Sequence, residues 1–162
     1  MKNHRQFLPL FRIFAIAGIL ISNSLVDARA QDSEPNPYRK TTLHGGLGFA
    51  GIYGTAFINL ERMLTQSLDK KVTGTFGKVG YGTYGAWGDS GQYFNLQYGI
   101  ITGRKASHFE MSAGPNFVVN GDMDFPIAFN FAYRHQKPGK PFLFRTGFGF
   151  PESLFFAMGL SF

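Results

Sequence analysis

Large apolar side chains recur at every second position through most of the chain beyond residue 43. Phe125, Ile127, Phe129, Phe131 and Tyr133 alternate with Pro126, Ala128, Asn130, Ala132 and Arg134. Phe142, Phe144, Phe148 and Phe150 alternate with Leu143, Arg145, Gly147 and Gly149. The same period marks Phe94, Leu96, Tyr98 and Ile100, then Phe109 and Met111, and finally Leu154, Phe156, Met158, Leu160 and Phe162. Successive strand side chains point to opposite faces, so this period predicts strands. Eight are predicted: 43–50, 55–64, 72–81, 93–102, 108–118, 125–135, 142–149 and 154–162. Most connectors carry Gly, Pro, Asn or Asp, which supply tight-turn dihedrals. The fold class is all-β: an eight-stranded antiparallel up-and-down barrel, closed so that no edge is left unpaired.

Alternation alone does not say which face is inside. A soluble lipocalin-like barrel turns its apolar face inward, and a membrane barrel does the reverse. A water-facing surface would be rich in Lys, Glu, Thr and Gln. The less bulky face here is mostly Gly, Ala, Ser and Asn, which suits the narrow interior of eight strands. The Phe-rich face would overfill that interior and is expected to face lipid. Glu61, Lys78, Glu110, Arg134 and Arg145 then fall inside with Asn59, Gln97, Asn116 and Asn130. Buried charges are tolerable when paired, so a polar network plugging the lumen is expected rather than an open channel.

The start of the chain changes the picture of location. Lys2, Arg5 and Arg12 precede the apolar run IFAIAGILI and then SNSLVDARA, an arrangement expected of a cleavable Sec signal peptide over 1–30. The nine-residue run is far shorter than the ~20 residues of a membrane helix. Residues 31–42 are expected to be a flexible tail and 43–162 the barrel domain. The mature chain would hold 12 Lys/Arg and 9 Asp/Glu, so much of the +6 charge belongs to the signal, and no nucleic-acid partner is expected. The absence of Cys excludes disulfides and a lipid-anchored N-terminus.

Little chemistry is suggested by the titratable residues. His44, His108, His135, Ser90, Ser112 and Ser153 are the parts available for a nucleophile and base. His108 and Ser112 share a strand face but stand about 13 Å apart at strand spacing. No catalytic residue, metal ligand set or cofactor is assigned, and no enzyme activity is expected. The alternatives are a lipid A-modifying outer-membrane enzyme and a soluble lipocalin-like periplasmic binding protein.

The signal ending ARA, the eight alternating strands and the final LFFAMGLSF together resemble the small outer-membrane β-barrels of the OmpA/OmpX type. The segment NLERML (59–64) resembles a strand-two stretch of such barrels in which an Asn and a Glu face inward. The resemblance implies a bacterial outer-membrane location with both barrel termini periplasmic. It implies that Phe156, Met158, Leu160 and Phe162 form an assembly signal, with Leu160 standing where an aromatic is common. The implied partners are outer-membrane lipid and lipopolysaccharide, the barrel-assembly machinery and periplasmic chaperones. The connectors 65–71, 103–107 and 136–140 would face the periplasm. Those at 52–54, 82–92, 120–124 and 150–153 would face outward. The inner set carries Lys70, Lys71, Arg104, Lys105, Lys137 and Lys140 against Asp69, and the outer set Asp89, Asp122, Asp124 and Glu152. Tyr81, Tyr84, Trp87, Tyr93 and Phe150 are expected in an outer aromatic girdle, and Tyr133 and Phe142 in an inner one. The stretch 82–92 would be the longest outer loop and, with Trp87, the best contact surface. A structural or surface-interaction role is the expected function.

Overall fold

A computed structural model of the protein describes residues 38–67, 70–104 and 106–162. The expected signal peptide and the first part of the expected tail lie outside the described residues. The strands are β1 (Thr41–Ala50), β2 (Tyr53–Gln66), β3 (Val72–Ala86), β4 (Asp89–Arg104), β5 (Ser107–Asn120), β6 (Ile127–Gln136), β7 (Phe142–Phe150) and β8 (Ser153–Ser161). Each pairs antiparallel with its sequence neighbour, and β8 returns to β1, closing the barrel. Closure runs from Thr42 opposite Ser161 to Phe49 opposite Leu154. Thr41 N–H also donates to the Phe162 carbonyl, and Phe162 N–H to that of Thr41, so both ends of the barrel chain meet at one rim, the terminal rim.

The tail expected over 31–42 gives way at its end. Thr41 and Thr42 already belong to β1. Tyr38 is buried at the terminal rim and its hydroxyl lies 2.9 Å from His108 Nε2. Burial raises its pKa above the usual 10, against the pull of the Arg134 charge, so the phenol keeps its proton.

The sequence pattern placed β3 and β4 too short. The stretch 82–92 is not a long loop: strand pairing continues to Ala86 opposite Asp89, leaving Trp87 and Gly88 as a two-residue turn. Gly88 takes φ +85°, which a residue without Cβ adopts freely. Glycines in this stretch are strand residues facing a cross-strand aromatic ring. Gly82 pairs with Tyr93 and Gly91 with Tyr84. Each ring lies over its glycine where a Cβ would stand. Tyr84 and Tyr93 are therefore buried in the lumen and leave the expected outer girdle, whereas Tyr81 and Trp87 stay exposed. Replacing Gly82 by Ala would drive the Tyr93 ring from its seat. A loss of about 1–3 kcal/mol is expected, the usual range for overpacking, read as a lower urea midpoint.

The two faces of the closed sheet differ sharply. Every strand exposes large apolar side chains outward, among them Leu47, Ile58, Tyr81, Tyr98, Met111, Ile127, Phe148 and Leu160. Inside, two small apolar clusters line the wall: Phe57, Phe155, Ala132 and Ala157, and Met63, Phe76 and Ile101. Apart from these and the buried Leu143 and Ala128, polar side chains dominate the lumen.

Candidate functional site

The alternation of each strand sets its inward residues, and the lumen gathers them. Asn59, Glu61, Lys78, Gln97, Glu110, Asn116, Asn130, Arg134 and Arg145 are all buried. At the centre lies a charge cluster. Arg134 Nη1 donates to Glu61 Oε1 at 2.6 Å and lies 3.4 Å from Glu110 Oε2. Arg145 donates to both oxygens of Glu110, through Nε at 3.0 Å and through Nη2. Arg134 and Arg145 stand opposite each other on β6 and β7. Glu110 on β5 accepts from both, so the carboxylate offsets what would be a like-charge clash. Arg145 Nη1 is 3.1 Å from His44 Nε2. A guanidinium can only donate, so the accepting His44 nitrogen is unprotonated. The Arg145 guanidinium also lies 5.5 Å from the Phe155 ring centre.

Polar side chains extend this cluster towards both rims. Near the terminal rim, Arg134 donates to Gln136 Oε1, and Gln136 Nε2 to Ser161 Oγ at 2.8 Å, tying β6 to β8 and, through Thr42, to β1. Away from that rim, Gln97 Oε1 accepts from Ser112 Oγ at 2.7 Å and from Asn130 Nδ2 at 3.2 Å. Of the candidate catalytic parts, His108 meets Tyr38 and Ser112 donates to Gln97.

Two site residues were missed, the first being Gln136, expected in the connector 136–140 but buried at the end of β6. The second, Glu152, expected on an outward loop, is fully buried. The β7–β8 turn folds across the mouth of the barrel opposite the terminal rim, and side chains of β2 hold it there. Tyr53 donates to the Pro151 carbonyl at 3.0 Å, Thr55 to the Glu152 carbonyl at 3.3 Å, and Asn59 Nδ2 to Glu152 Oε1 at 3.3 Å. Gly48 of β1 lies directly beneath the Glu152 carbonyl, where a Cβ would collide with it. The turn ends on Ser153 at φ +58°, a left-handed conformation uncommon outside glycine. Among the described residues, the buried acids Glu61, Glu110 and Glu152 now equal in number the buried bases Lys78, Arg134 and Arg145.

These features define a small closed β-barrel with a filled, charge-balanced polar lumen and an apolar exterior. No protein-family model, curated protein or solved structure matches the chain.

Proposed function

We propose that the protein is an integral outer-membrane β-barrel with a non-enzymatic, structural or surface-interaction role. The apolar belt contributed by all eight strands carries this reading. Folded soluble monomers rarely expose contiguous apolar surface beyond a few hundred Å². In hydrocarbon, a closed ring of strands also satisfies every backbone polar group. The distribution is the inverse of a ligand-carrying soluble barrel, whose apolar side lines the cavity.

The orientation follows the resemblance: the terminal rim is periplasmic, and the mouth under Glu152 faces outward. Phe156, Met158, Leu160 and Phe162 all point outward from the end of the chain and are exposed. They would meet the assembly machinery and then lipid and lipopolysaccharide. Trp87, 86% exposed at the tip of the β3–β4 hairpin, is the contact residue on the outer side.

The reading is tested by expressing the full chain in a Gram-negative host and fractionating the cells. Outer-membrane samples are run on a denaturing gel with and without boiling. A band in that fraction that changes mobility on boiling, and that is depleted when Phe162 is deleted, is the expected result. A soluble periplasmic protein with no heat-dependent shift would overturn the proposal in favour of a soluble carrier.

A further inference from the structure

In the central charge cluster Glu61 Oε2 lacks a hydrogen-bond partner among the described residues, and the part of the lumen between the cluster and the covered mouth holds several unpartnered donors. Lys78 Nζ, Tyr93 Oη and Asn95 Nδ2 are buried and find no hydrogen-bond partner among the described residues. All three can donate. Their side chains are 2% exposed or less. The register places them in three successive inward rows: Glu61, Lys78 and Gln97, then Asn59, Gly80 and Asn95, then Phe57, Gly82 and Tyr93. Gly80 supplies the floor, since a Cβ there would run into the Asn59 and Asn95 amides.

One carboxylate reaches the middle of these rows from the turn, not from the wall. It is that of Glu152, whose turn folds over the mouth. Its Oε1 accepts from Asn59, while Oε2 has no partner among the described residues. The other two acids project from strands; Glu152 alone hangs from a three-residue connection between paired Gly149 and Ser153.

We propose that Lys78, Asn59, Asn95 and Tyr93 form a binding site for a small carboxylate, and that the chain's own Glu152 fills it as a tethered ligand. A buried ammonium needs a counter-ion. The turn supplies one without committing a strand residue to it. The β7–β8 turn is then a lid, held shut by the carboxylate and by the hydrogen bonds from Tyr53 and Thr55. When it swings out, the same donors face an external carboxylate entering from that mouth. The proposal rests on the lumen alone and holds whether or not the barrel sits in a membrane.

Chemical rescue tests it. The Glu152→Ala variant removes the tethered carboxylate and leaves space for formate. The protein is purified in whichever medium keeps the wild type folded, detergent micelle or buffer. Folded fraction and unfolding midpoint are read by circular dichroism in sodium formate, in sodium chloride of equal ionic strength, and in chloride with added formamide. Formate should raise the Glu152→Ala midpoint by about 5 °C over chloride once it is well above its dissociation constant. If the variant does not fold in chloride, formate should recover folded protein. Formamide, the neutral isostere, should do neither. Formate should not help wild type, the Glu152→Gln variant, in which the amide fills the space, or the Lys78→Met/Glu152→Ala double variant. An equal response to formate in all four proteins would overturn the proposal. So would no response in Glu152→Ala, or failure to fold in either salt.

Discussion

Replacing Arg145 by Met is expected to cost about 3–5 kcal/mol, the range for removing one partner of a buried ion pair. The guanidinium holds both oxygens of Glu110, reaches the His44 ring and covers Phe155. Met has a comparable stem, so the loss is chiefly electrostatic. Glu110 would keep only Arg134, at 3.4 Å, and Arg134 is already committed to Glu61 at 2.6 Å. The lumen would also carry an uncompensated negative charge. Adding Glu110→Gln should return a large share of the loss, because the orphaned carboxylate disappears while Arg134 and Glu61 stay paired. Urea unfolding of the two single variants and the double measures this coupling, expected in the range of about 1–3 kcal/mol for groups in one network. A single-variant cost within about 0.5 kcal/mol, typical of surface changes, would mean that the cluster merely fills space.

The faces of this barrel were legible in one dimension, and the partners were not. Period two is enough to send Glu61, Lys78, Glu110, Arg134 and Arg145 to one side of the sheet. Their pairing depends on the stagger of the strands around the barrel, which no local pattern carries. Glu61 and Lys78 stand directly opposite in register, yet Glu61 bonds Arg134 across the lumen. The hairpin between β3 and β4 was hidden for a different reason. Glycine is read as turn chemistry, but Gly82 and Gly91 sit within paired strands because Tyr93 and Tyr84 lie across them. Glu152 was hidden because it lies in a turn, where an acid is normally solvated. One signal pointed to it. The two acids and three bases predicted for the strands leave a buried cation without a counter-charge, and such a deficit demands a third acid. The outward connectors held the candidates, and the turn with Pro151 and the left-handed Ser153 is the one that folds inward.

The outward face yields the prediction that separates a lipid-facing barrel from a water-facing one. Ile58 is half exposed near the middle of β2, between Gly45 of β1 and Tyr81 of β3. Leu64 is similarly exposed six residues on, towards the terminal rim. The two are separated by about 20 Å along the strand. In a membrane barrel an outward Arg costs about 2–4 kcal/mol at the bilayer midplane and about 0–1 kcal/mol near the interface. Ile58→Arg should therefore destabilise the protein folded into lipid vesicles by several times as much as Leu64→Arg, and should lower its outer-membrane level. Ile58→Ala controls for lost apolar contact, since it shortens the side chain without adding charge. In a soluble barrel both Arg variants would sit in water. Each would then stay within about 0.5 kcal/mol of wild type, as surface substitutions generally do. The depth dependence carries the discrimination: lost packing alone would not make one exposed aliphatic position on β2 intolerant of Arg and spare the other. Equal, small effects at both positions would remove the basis for placing this barrel in a bilayer.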